Sequence, residues 1–174
     1  MKGLIFIDGG NLFHSIKEYN AKNGVNERVD FLRFSKFLEK ETQMSTLLRT
    51  SYYTGVPRNI HNKQVGFLTM LETLPNHEVK KKQLKMKNGR LTEKGVDVQI
   101  VTDMLWCGLQ KHCQHIVLVS GDEDLTDAVI KLKENGVRVT VAAFKSNAST
   151  KIIRSADGFI DLTQHVSKFN ISNP

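Results

Sequence analysis

Carboxylates gather in one short stretch, Ile116 to Asp127, which reads IVLVSGDEDLTD. Asp122, Glu123 and Asp124 follow Ser120-Gly121, and Asp127 lies just beyond. Like charges this close resist ionising together. Solvation, protonation or a bound cation relieves them, and a cation is the working expectation. Asp8 opens a second acidic turn, Asp8-Gly9-Gly10-Asn11, and Asp97 and Asp103 add two more acids in the middle of the chain. Asp103 stands six residues after Asp97, which is not a whole number of helical turns, so it is expected behind the site or in a structural role. Oxygen ligands with no His or Cys nearby in sequence favour Mg²⁺ or Mn²⁺ over zinc.

The elements that must position these acids follow from hydrophobic pattern. Leu4 to Ile7 (LIFI) and Ile116 to Val119 (IVLV) are unbroken apolar runs rich in β-branched residues. Such runs predict strands buried on both faces of a parallel sheet. Each ends at an acidic turn, and open α/β sheets place ligands just outside the carboxyl ends of their strands. Leu12, Phe13, Ile16 and Tyr19 then recur at helical spacing. Further helices are expected at 31–38 behind Asp30, at about 58–74 with Val65, Leu68, Met70 and Leu71 inward, at about 96–111, and after Leu125. Strands are expected at Leu47 to Thr54, Val137 to Phe144 and Phe159 to Leu162. Tyr52 and Tyr53 point to opposite faces, one for the core and one free to meet a ligand. Alternating strands and helices give an α/β fold with right-handed crossovers, in which Asp8 and Asp122 emerge on one edge.

Each acid also has a local explanation. Asp8 or Asn11 can cap a helix, and capping is the simpler role for Asn11. Asp97 suits the dipole of a first helical turn. Ser120 to Glu123 matches a capping box. Separate caps do not explain why the acids fall together on one predicted edge.

The net charge of +7 is concentrated. Lys80, Lys81, Lys82, Lys85, Lys87, Arg90 and Lys94 face one acid, Glu93, so this segment carries +6 and the rest of the chain +1. Asn88-Gly89 is a strong hairpin signal, and two short strands around it would project the lysines as an arm. The patch suits a polyanion, although a solvated loop accounts for the charge equally well. A cation held by carboxylates beside such an arm suggests phosphodiester hydrolysis. The 174 residues fit one domain with a full core. Cys107 and Cys113 are not expected to pair, and neither has zinc-type spacing. With no membrane-spanning stretch and no signal pattern, a cytoplasmic protein is expected.

IFIDGGNLFHS, KGVDVQIVTDML, LVSGDEDLTDAVIKLKENGVRVTVAAF and the later SADGFIDL resemble the NYN domain, a branch of the PIN-like nuclease superfamily. The likeness covers roughly the first 20 residues and Lys94 to Leu162, and is weak from Ala21 to Glu93. It implies a three-layer α/β/α fold with a mainly parallel sheet and metal-dependent ribonuclease activity. By motif the acidic pocket falls on Asp8, Asp97, Asp122 and Asp124, with Asn11 beside Asp8; related nucleases differ in the spacing of their last acid, which leaves Asp127, like Ser120 and Asp103, expected around the pocket. Leu125 stands where many relatives have Phe, and Asp157 matches the family's ending in a structural role. RNA, single-stranded so that it can enter a recessed pocket, is the implied partner, gripped by the basic segment without reading sequence. The domain is expected over 1–168, with a basic hairpin insertion around 77–94 and a frayed tail over 169–174. A homodimer stays open. A non-catalytic RNA-binding or protein-binding regulator is the alternative. A haloacid-dehalogenase phosphatase fits less well, because Gly10 stands where that family needs a second Asp. A dinucleotide fold is disfavoured by the sparse Gly9-Gly10.

Overall fold

The structure is a computed structural model that describes residues 1–58, 61–87, 90–92 and 95–171. Its centre is β1 (Lys2–Asp8), which pairs in parallel with β2 (Thr46–Val56) on one side and β6 (His115–Val119) on the other. Outward from β2 lies β3 (His77–Gln83), and outward from β6 lie β7 (Arg138–Ala143) and β8 (Gly158–Asp161). The six-stranded sheet runs β3-β2-β1-β6-β7-β8, with every neighbour parallel. The chain therefore builds outward to β3, then returns across β1 to start the other half at β6. The order reverses between β1 and β6, and such a switch point opens a crevice at the carboxyl edge.

Side chains alternate across the central strands, and both faces are covered, which is why LIFI and IVLV read as unbroken apolar runs. Ile5, Ile7, Val117 and Val119 face one core. It is closed by α1 (Gly9–Asn23), α2 (Phe31–Glu41), α3 (Asn62–Thr73) and α7 (Val166–Phe169). Leu4, Phe6, Ile116 and Leu118 face the other. There α4 (Val96–Leu109), α5 (Thr126–Glu134) and α6 (Thr150–Ser155) pack. This is the three-layer α/β/α arrangement expected, and both tyrosines are used: Tyr52 in the first core, Tyr53 in the second.

Several expectations need correction. Lys80, Lys81 and Lys82 do not sit on a hairpin arm: they lie on β3, which joins the main sheet in register Thr50↔His77 to Val56↔Gln83. The hairpin is the smaller β4 (Lys85–Lys87) and β5 (Arg90–Thr92), antiparallel with Lys87 opposite Arg90. Asn88-Gly89 and Lys94 lie outside the described residues. On α3 only Leu68 and Leu71 of the expected stripe are buried, whereas Val65 and Met70 are exposed. The polar segment after Tyr19 stays helical to Asn23 and turns at Gly24, whose φ of 66° lies in the left-handed region that glycine tolerates. The tail is tied down as far as Ile171. Phe169 is fully buried against Phe34 and Phe37, and the Ile171 amide donates to the Arg28 carbonyl.

Candidate active site at the carboxyl edge

Asp8 ends β1 as a buried residue, 6 % exposed, and it caps α1. The Asn11 amide donates to Asp8 Oδ1 at 3.0 Å, and the Ser120 hydroxyl donates to Asp8 Oδ2 at 3.0 Å. Ser120 follows β6 directly, so the register Ile7↔Val119 brings the two residues side by side. The Ser120 oxygen in turn accepts the Asp122 amide at 3.2 Å. A backbone N–H, a hydroxyl and a buried carboxylate thus form one chain, each member polarising the next.

Asn11 does not cap the helix, because Asp8 holds that position. Its side-chain oxygen instead accepts the Gly121 amide at 3.1 Å, a second tie between the two acidic turns. The capping box expected from Ser120 and Glu123 is not formed either. Ser120 turns to Asp8, while Glu123 accepts from the Ser149 hydroxyl at 3.0 Å and pairs with Lys151 at 3.4 Å. Asp122 carries the local capping role, accepting the Asp124 amide at 2.9 Å. The turn is pressed against 147–148: a Cβ on Gly121 would meet the Asn147 carbonyl at 2.5 Å. Ser149 also donates its amide to the Gly121 carbonyl. Ser149 and Asn147 carry no motif of their own, and only the folded contact with the turn gives them a place at the site.

The remaining acids spread outward. Asp122 is half-buried, Asp124 exposed. Asp97 is half-buried in the first turn of α4, a helix that must start at the carboxyl edge because it carries the chain back to the beginning of β6. Asp103 lies further down α4 and accepts the Tyr53 hydroxyl at 2.8 Å. Burial first, then that bond and the Asp103 charge, push the Tyr53 phenol well above its ordinary pKa. Asp103 thus ties α4 to β2. Asp127 is exposed in the first turn of α5. Asp157 accepts the Val139 amide at 2.8 Å and pairs with Lys133 at 3.4 Å, joining β7, α5 and the approach to β8.

Among the described residues, no three His, Cys, Asp or Glu side chains converge into a group that could hold a metal ion. Hard carboxylate oxygens are nonetheless the donors Mg²⁺ and Mn²⁺ take. The chemistry of the set fits such an ion.

The basic segment is partly neutralised by its own protein. Lys80 lies 3.6 Å from Glu78, which also pairs with Arg49 at 3.2 Å, and Lys81 lies 2.8 Å from Glu72. Exposed pairs of this kind are weak and open readily to a competing anion. No helix among the described residues is long and apolar enough to cross a membrane.

A parallel α/β sheet whose order reverses between β1 and β6, with acids at the ends of both strands, defines a class, and comparison with known proteins agrees. The NYN domain family model matches residues 2–163, so the chain belongs to the NYN domain family, a family of PIN-like nucleases. It is 29% identical over 166 residues to the low amplitude and bright protein LabA of Synechococcus elongatus, covering 91% of this chain and 82% of that one. It is 42% identical over 59 residues to the uncharacterized protein y4oD of Sinorhizobium fredii, covering 34% of this chain and 28% of the relative. A solved protein of unknown function from Vibrio parahaemolyticus shares the fold, with a TM-score of 0.77 at 23% identity over 98% of this chain and 96% of that one.

Proposed function

We propose that the protein is a ribonuclease that hydrolyses phosphodiester bonds of single-stranded RNA at the carboxyl edge of the sheet. The observation that carries this is the Ser120 hydroxyl bonded to Asp8 Oδ2, which joins the two acidic turns at the switch point. Membership of a PIN-like nuclease family supports the same reading. Asp8, Asp97, Asp122 and Asp124 would hold Mg²⁺ or Mn²⁺. Bound there, such an ion would activate water and offset charge on the leaving oxygen.

The chain's own residues prepare that edge. Ser120 and the Asn11 amide fix both oxygens of Asp8 through hydrogen bonds. Asn11 and Ser149 hold the Gly121 turn from two sides and so set where Asp122 projects. Lys82, exposed on β3, and Lys80 and Lys81, released from Glu78 and Glu72, would meet backbone phosphates, as would the β4–β5 hairpin with Lys85, Lys87 and Arg90. Such contacts position a strand without reading its bases. Incubating the protein with end-labelled single-stranded RNA, with Mn²⁺ or with EDTA, tests the proposal. Cutting that needs Mn²⁺ is expected, and intact RNA under both conditions contradicts it.

One observation favours a second reading, in which the protein binds RNA or a partner protein without cutting: among the described residues no three of the acids converge. RNA binding without turnover across several divalent ions would select that reading.

A further inference from the structure

A cavity of about 960 Å³ opens beside the Asp8 turn, on the face covered by α1 and α3. Its volume lies within the range of small-ligand sites. Gly9 and Gly10, the two residues after Asp8, line it, so the cavity abuts the β1–α1 turn that carries the acid. The Tyr52 ring reaches that point only because Gly9 has no side chain: a Cβ there would lie 2.4 Å from Tyr52 Cζ. Tyr52 belongs to a cluster of three rings in the wall. Phe31 and Tyr52 meet edge-on with centroids 5.4 Å apart, Tyr52 and Phe67 edge-on at 5.8 Å, and Phe31 and Phe67 at 5.7 Å. From α1, Phe13 lines the same cavity while 71 % exposed, an aromatic ring that the protein itself leaves uncovered. Lys17, one turn on and so on the same helix face, and Arg28 stand on the lining as exposed cations.

We propose that this cavity seats an unpaired nucleobase of the strand whose phosphate lies at Asp8 and Asp122. The proposal rests on the ribonuclease reading and adds to it the means of selecting single strands. Every base has a π-face, so an open aromatic ring takes it without regard to sequence. Lys17 and Arg28 complement the phosphates on either side of that base. An apolar peptide would leave both cations without a partner, and an acidic one would bring no π-face to the open Phe13 ring. A base held in a duplex cannot enter, because it is already stacked and paired.

Equilibrium binding of a labelled single-stranded adenine oligoribonucleotide, and of the same backbone made abasic throughout, tests this in EDTA, where no strand is to be cut. Wild type is expected to bind the abasic strand roughly 5- to 150-fold more weakly, the range for loss of one stacked base. Phe13→Ala, at an exposed position, is expected to lower affinity for the adenine strand and leave that for the abasic strand unchanged. Equal wild-type affinity for the two strands overturns the base site while the ribonuclease reading stands. An unchanged adenine affinity in Phe13→Ala overturns its assignment to this cavity. Failure of wild type to bind either strand overturns the base site, and the cutting test with Mn²⁺ decides the ribonuclease reading separately.

Discussion

The Ser120 hydroxyl lies 3.0 Å from Asp8 Oδ2, a bond that spans 112 positions of sequence and ties the end of β1 to the turn after β6. Ser120 is 1 % exposed, so no water replaces it easily. Ser120→Ala leaves a buried carboxylate oxygen short of a donor and the Asp122 amide short of an acceptor. A loss of about 1–3 kcal/mol of stability is expected in urea denaturation. RNA cleavage should fall about 10- to 100-fold, as for other groups that orient metal-binding carboxylates. Unchanged stability and unchanged cleavage together would show that the bond organises nothing.

Gly9 marks where backbone and ring meet most closely beside the acid. Gly9→Ala places a Cβ 2.6 Å from the Tyr53 carbonyl and 2.4 Å from the Tyr52 ring. The ring must move or the β1–α1 turn must open. Thermal denaturation should show a loss of about 1–3 kcal/mol, the usual cost of overpacking. A variant as stable as wild type would mean that Tyr52 can shift freely, and the cavity wall beside Asp8 would then be softer than described.

Acid should weaken the fold through His115. This side chain is fully buried on β6, with Nε2 2.9 Å from Thr140 Oγ1 and Nδ1 without a hydrogen-bond partner among the described residues. Burial first, then the Arg138 charge, lowers its pKa from 6.5 to about 4. Between those values the unfolded chain binds the proton and the folded chain does not, so stability rises with pH across that window. It is fully present above about 6.5, falls as pH drops toward 4, and levels off below. The loss attributable to this residue is on the order of 3 kcal/mol. His115→Gln should flatten the slope between pH 6.5 and pH 4, measured by denaturation at several pH values. An unaltered slope would place the acid sensitivity elsewhere.

The layers and the sheet core were legible because LIFI and IVLV are buried on both faces, which only a covered parallel sheet requires. From that pattern Asp8 and Asp122 fall on one edge, as the parallel β1–β6 pairing has them. The Ser120 and Asn11 ties were not legible. Each residue offers a local capping partner, and only the register of β1 against β6 decides that both reach across instead. β3 was hidden by composition: HEVKKKQ is too polar to signal a sheet strand, yet an edge strand pairs on one side only and tolerates exposed lysines. Phe169 was read as part of a frayed end because its partners, Phe34 and Phe37, lie more than a hundred residues earlier. The cavity left no periodic trace either, since its rings come from α1, α2, β2 and α3.

The central claim is that the acids at the ends of β1 and β6 act together on a phosphodiester bond. Its most direct test is the rate of hydrolysis of labelled single-stranded RNA with Mn²⁺, for wild type and for Asp122→Asn. Asp122 is half-buried and its substitution keeps an acceptor for the Asp124 amide, so the fold should survive. The account predicts that wild type cuts and that the variant is slower by about 100-fold or more, the scale set by removing one charge-stabilising group from an active site. Equal rates in the two proteins would contradict it.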